Sequence, residues 1–337
     1  MNAFLSALTL QSGYNAALVT IGATLLGMAA GGAGTFLVLR KRALVADAMA
    51  HATLPGIALA FLLMVALGGS GRSLAGLMAG SAATALLGLL AVDWLTNRTR
   101  LPEDAAIGSV LSVFFGAGLV LLTIIQTLSA GQQAGLEGFL LGSTAGMLRA
   151  DALTVVAGGL LAGAVTWAIR RPMTLIAFDE GYAAASGLNV PRFDRVVLLV
   201  VLFVTVAGLK IVGLVLILAL LVIPAVTARF WTDRVSRLLL LAALFGGLAG
   251  WIGTALSAAA PGLPAGPLVV LTAAALFAAS LLLAPRRGAR ARAVALRRSR
   301  PTLTRDQSAE WVALRREDPA SPLLAQDDGR TPLSALT

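Results

Sequence analysis

The stretch VADAMAHATLPG, residues 45–56, contains the only histidine of a 337-residue chain, four positions after an aspartate. At that spacing on a helix, Asp47 and His51 are neighbours on one face, so a carboxylate oxygen and an imidazole nitrogen can point at one ion. This donor pair suits Zn²⁺, Mn²⁺ or Fe²⁺ rather than Ca²⁺ or Mg²⁺, which prefer shells made of oxygen alone. Two protein ligands leave a shell incomplete, which suits an ion in transit better than one in storage. A twofold partner subunit or water would complete it. Spacing alone leaves two other readings open: a structural polar pair, and a proton relay built on an imidazole that titrates near neutral pH. Pro55 and Gly56, one turn further on, are expected to break the helix, and transporter sites form where such breaks free backbone carbonyls. A simple kink is the alternative.

The surroundings of the pair are what make it costly. The chain is 58% hydrophobic and 12% charged, far too apolar for a soluble domain, so it reads as an integral membrane protein. A hydrocarbon core about 30 Å thick takes ~20 apolar residues per helix. Apolar runs broken by charge or turn residues fall at 14–39, 43–67, 74–93, 105–128, 152–169, 194–209, 212–228, 236–258 and 266–284. They predict an all-α polytopic protein with eight or nine transmembrane helices. Charged side chains at membrane depth cost at least ~2.5–3.5 kcal/mol and usually face a cavity or a partner. Asp47 and His51 stand out, with Glu137 and Lys210 as lesser candidates. The absence of cysteine excludes disulfides, thiolate zinc sites and iron–sulfur clusters. The start of the chain lacks a basic n-region and runs into a long apolar segment, so a retained first span is expected rather than a cleaved signal.

Arginine and lysine gather at alternate connections: 40–42, 98–100, 170–195, 229–237 and the run from Arg286 to Arg300. The positive-inside rule puts these in the cytoplasm, with the C-terminus inside and the N-terminus outside. Most of the net charge of +10 is therefore read as anchoring on anionic lipid, and no nucleic-acid partner is expected. Residues 1–285 read as one transmembrane domain. Residues 286–337 are polar and punctuated by prolines, and read as a disordered cytoplasmic tail. Gly27 and Gly31 form a small-xxx-small pair that lets helices approach closely.

The connection at 170–195 carries its own helix signals. Asp179 is placed as an N-cap, EGYAAAS spans two turns, Gly187 stands where a helix ends and Pro191 prevents continuation. This predicts a short helix across the cytoplasmic face, either a plain connector or a docking surface for a soluble partner.

Four stretches together resemble the metal-cation ABC-3 family, the permease subunits of bacterial ABC importers for zinc, manganese and iron(II). They are GTFLVLRKRALVADAMAHATLPGIALAFLL, TRLPEDAAIGSVLSVFFGAGLVLL, FDEGYAAASGLNV, and GLKIVGLVLILALLVIPAVTARFWTDR followed by LPAGPLVVLTAAALFAASLLL. In order, they cover most of residues 25–284. The chain departs from the family pattern at Ala43 and Ala46, neither of which removes a ligand, and at Ser143, where the family commonly has an acidic residue and no function is carried over.

The resemblance implies a fold like that of the vitamin B12 and siderophore permeases, in the bacterial plasma membrane. It places Asp47 and His51 on the family's metal-handling aspartate and histidine. It makes residues 178–190 a coupling helix, with Phe178, Asp179, Ala183, Gly187 and Leu188 on the family's loop pattern. It also implies three partners: a cytoplasmic ATP-binding subunit, an extracytoplasmic metal-binding protein and a second permease subunit. No permanently bound cofactor and no catalytic residue are expected, because the metal is cargo and ATP hydrolysis belongs to the partner. Imidazole ligates only when neutral, so passage of the metal should weaken in acid. The alternatives are a permease for a metal chelate or cobalamin, a proton-coupled secondary transporter, and a scaffold recruiting partners through its tail.

Overall fold

The computed structural model describes residues 2–11, 13–69, 71, 73–127, 149–259, 263–284 and 288. Glu137, Ser143 and, apart from Gly288, the tail 286–337 lie outside the described residues. Those described contain helices and no strand. In chain order the helices are α1 (Asn2–Leu8), α2 (Tyr14–Leu39), α3 (Ala43–Ala66), α4 (Leu74–Arg98), α5 (Glu103–Thr127), α6 (Arg149–Ala168), α7 (Arg170–Phe178), α8 (Glu180–Ala185), α9 (Val190–Val212), α10 (Leu214–Arg229), α11 (Val235–Ala259) and α12 (Ala265–Leu283).

Each of the nine apolar runs is helical, but not each is a full span. Six helices (α2, α3, α4, α5, α11 and α12) are long and apolar enough to cross a membrane. The count reaches seven if α6 and α7, bent by 58° at their junction, act as one. The higher count expected from the sequence meets a physical obstacle in α10, whose 16 residues extend only about 24 Å. Gly213 separates α9 from α10 with φ +87°, a conformation that glycine adopts without steric cost.

Residues 1–280 form one compact unit. Its centre is α2, which packs along α11 and also meets α10, α6 and α9. Phe36, Leu26 and Leu37 of α2 are fully buried. At Gly27 and Gly31 an added Cβ would strike the carbonyls of Gly246 and Ala242, so α2 and α11 cross with backbones nearly touching. The expected close approach is thus present, and α11 is the partner. Helices α4 and α5 flank α3. A second unit begins at Leu281, and among its described residues the Gly288 amide donates to the Ala284 carbonyl (3.0 Å).

Candidate functional site

The dipeptide Pro55–Gly56 does not break α3, contrary to the sequence expectation. The helix runs unbroken from Ala43 to Ala66 with Pro55 inside it. The reason lies in its neighbours. Gly118 of α5 lets the helices close until its Cβ position is 3.0 Å from the Pro55 nitrogen, and the Gly56 backbone meets that of Gly80 on α4. Packing on both sides thus holds a segment that proline alone would loosen. Proline still removes one hydrogen bond, the one its missing N–H would have donated to the carbonyl four residues earlier. That carbonyl belongs to His51.

With α3 continuous, Asp47 lies about 6 Å and His51 about 12 Å from its start, on a helix about 36 Å long. The pair therefore sits in the third of α3 nearest the basic turn 40–42. His51 Nε2 is 3.3 Å from Asp47 Oδ1, with side-chain exposures of 22% and 30%. Two donors about 2.1 Å from one ion, at the angles of a tetrahedral or octahedral shell, are about 3.0–3.4 Å apart. The observed separation fits a shared ion with little rearrangement. The His51 ring makes a T-shaped contact with Phe115 of α5, centroids 5.1 Å apart and planes at 84°. Among the described residues its buried Nδ1 has no hydrogen-bond partner, an arrangement that costs free energy in a purely structural role. Among the described residues no third His, Asp, Glu or Cys joins the pair to make a metal cluster. Lys210 falls in the last turn of α9, on a different helix.

The loop expected to couple folds much as its residues suggest. Asp179 caps α8, its Oδ1 accepting from the Tyr182 amide at 2.8 Å. The helix ends with the Leu188 amide on the Ala183 carbonyl (3.1 Å) and the Gly187 amide on the Ala184 carbonyl (3.0 Å), a Schellman closure. Gly187 takes φ +86° there. Ala183 is fully buried, whereas Phe178 and Tyr182 are 70% and 61% exposed. Leu188 is half-buried, and α9 begins at Val190 behind an Asn189 cap with Pro191 in its first turn. Sequence reasoning missed Tyr182, although it lies four residues after Phe178. It also missed α7, signalled by Pro172 in the first turn and by the buried pair Met173 and Ile176.

An ion cluster joins this loop to the turn before α3. Arg40 donates to Glu180 (2.9 Å), to Asp194 (2.7 Å) and to the Ile176 carbonyl (3.2 Å). Arg42 reaches Asp194 at 3.2 Å and Glu103, at the start of α5, at 3.4 Å. Burial pulls the Arg40 pKa down, but its bonds to Glu180 and Asp194 outweigh that and hold it above the ordinary arginine value. The turn 40–42 and residues of α5, α7, α8 and α9 thus meet at one end of the bundle.

Comparison with known proteins gives the chain's relatives. The chain is 39% identical over 293 residues to the manganese transport system membrane protein MntC of Bacillus subtilis (strain 168), covering 87% of this chain and 66% of that relative. It therefore spans about two thirds of that relative's length. It is 37% identical over 279 residues to the zinc transport system membrane protein TroC of Treponema pallidum (strain Nichols), covering 83% of this chain and 92% of the relative. Among solved structures, PsaBC from Streptococcus pneumoniae in complex with Fab superposes with a TM-score of 0.72 at 27% identity, covering 84% of this chain and 96% of that one. The sequence pattern of the ABC 3 transport family matches residues 14–284. From the first residue of α2 to the residue after α12, this chain belongs to the ABC 3 transport family.

Proposed function

We propose that the protein is the transmembrane permease subunit of an ABC importer that carries a divalent transition metal, Mn²⁺, Zn²⁺ or Fe²⁺, into the cytoplasm. The observation that carries this reading is the Asp47–His51 pair, two donors 3.3 Å apart on the wall of an otherwise apolar bundle. Relatives named for manganese and zinc transport support it. A second copy of the chain, bringing its own aspartate and histidine, would complete a four-donor shell.

ATP hydrolysis resides on a separate cytoplasmic subunit docked against residues 178–190, and a metal-binding protein delivers the ion outside. The exposed Phe178, at the end of α7, and Tyr182, in α8, support that docking face. In this reading the bent α6–α7 pair and α9 also traverse the membrane, giving eight spans, and α10, about 24 Å long, makes a ninth where the bilayer thins around it. The basic connections and C-terminal tail face the cytoplasm, and the N-terminus lies outside.

The test is uptake of labelled Mn²⁺, Zn²⁺ and Fe²⁺ into proteoliposomes holding the chain with its ATPase, with and without ATP. ATP-dependent uptake of at least one free ion is expected. Uptake without ATP would favour the proton-coupled reading, and carriage of only a chelate or cobalamin would favour the other rival.

The loop reading has its own check. Gly187→Val forces a β-branched residue to φ +86°, a strain of about 1–3 kcal/mol on a closure that shapes the end of α8. The variant is expected to retain the membrane fold while recovering several-fold less ATPase on co-purification. Full recovery would argue that this loop does not dock the ATPase.

A further inference from the structure

The cluster at the turn 40–42 connects two regions that the sequence keeps far apart. Arg40 holds the segment 176–180 through one carbonyl and one carboxylate, and it holds α9 through Asp194. Arg42 shares Asp194 and reaches Glu103. Helix α3 begins at the next residue, Ala43, and carries Asp47 and His51. Helix α5 begins at Glu103 and carries Phe115, the ring set against His51. Both walls of the metal-handling pair are therefore tied to the same three-residue turn that grips the start of α8. Lys41, between the two arginines, takes φ +58°, which fixes the turn in a tight left-handed bend. Arg40 and Asp194 are each only 12% exposed in their side chains, so water screens this contact far less than a surface ion pair.

We propose that Arg40 is a positioning residue of the transport cycle, transmitting movement of the coupling loop to α3 and so to the Asp47–His51 pair. The proposal rests on the permease reading above. A guanidinium suits this task because its rigid fork bonds two carboxylates and a carbonyl at once, whereas a lysine ammonium cannot hold all three in one plane. Motion of α8 then pulls on the end of α2 and the start of α3 together.

The experiment uses the permease–ATPase complex in proteoliposomes with Mn²⁺ as probe, and reads two quantities. The first is Mn²⁺ carried per ATP hydrolysed. The second is the nucleotide-induced fluorescence change of a label on Leu44→Cys, an exposed α3 position in a chain with no cysteine of its own. Arg40→Gln is expected to lower the transport ratio about tenfold and to remove most of the label's response, while Arg40→Lys lowers both by about threefold.

Glu180→Gln removes the charge from one of the two loop contacts and leaves the Ile176 carbonyl bond and Asp194 in place, at a carboxylate 60% exposed in its side chain, so it reports on transmission even where Arg40→Gln assembles poorly. It too is expected to lower both readouts severalfold. Values within about twofold of wild type for the assembled variants, whatever the yield, would overturn the proposal and leave the cluster as a structural tie. Failure of the permease reading shows separately, as a wild-type complex that carries no free metal ion, and the Leu44 label still decides the transmission question there.

Discussion

His51→Ala is expected to lower ATP-driven uptake of Mn²⁺ or Zn²⁺ by at least ten- to a hundredfold, the loss that follows even when a residue that merely orients a metal ligand is removed. The pair supplies two donors, and no third ionisable group converges on them among the described residues, so the remaining ligand has no local substitute. Removing the ring also removes its edge contact with Phe115, and an alanine leaves space there. Asp47→Asn separates the two effects, because it keeps the shape and a hydrogen-bonding oxygen while losing the negative charge that attracts a cation. Both variants should lower uptake while their detergent-solubilised complexes remain monodisperse with near-native melting temperatures. Uptake within about twofold of wild type in both would remove the pair from the pathway. Loss of uptake in His51→Ala alone, with Asp47→Asn unaffected, would point to packing against Phe115 instead.

The site and the frame were legible to different degrees, for physical reasons that particular residues show. Helix positions came through well, since a run of apolar residues between arginines in a membrane protein has few choices but a helix. The two ends of α8 were legible because capping is local: Asp179 bonds an amide three residues away, and the Gly187 closure spans five residues. Pro55 misled because its effect depends on what lies beside it, and Gly118 sits 63 positions further along the chain. The Arg40 cluster was invisible for the same reason, its partners Glu180 and Asp194 being 140 and 154 residues away. In composition those arginines look like ordinary positive-inside anchors, and only the fold shows that two of them are bonded to carboxylates. The pairing of Asp47 with His51 needed no tertiary knowledge, while its surroundings, the Phe115 edge and the unpartnered Nδ1, required the fold.

Gly31→Val should be among the most damaging single changes to the fold, and a neighbouring glycine supplies its control. A Cβ at residue 31 meets the carbonyl of Ala242 on α11 and comes within 3.2 Å of the Pro224 Cβ on α10. The first obstacle is backbone, so no rotamer change relieves it. The helices must separate instead, and α2 is the element around which α11, α10, α6 and α9 are packed. Overpacking a well-filled interior typically costs 1–3 kcal/mol, and the cost here should reach about 3 kcal/mol or more because two branched methyls follow the Cβ into the same crossing. Gly32, one residue further on, has nothing within 4 Å of its Cβ position. Gly32→Ala should therefore be neutral, or stabilising through the better helix propensity of alanine. Thermal unfolding of the purified chain in detergent should show a large fall in melting temperature, or loss of the monodisperse species, for Gly31→Val and no fall for Gly32→Ala. Equal behaviour of the two variants would mean that the α2–α11 crossing is looser than described. Because α2 ends at Leu39, immediately before Arg40, a displaced α2 also carries the turn at 40–42 away from Glu180 and Asp194. A weaker substitution, Gly31→Ala, should for that reason lower metal carried per ATP more than it lowers the melting temperature.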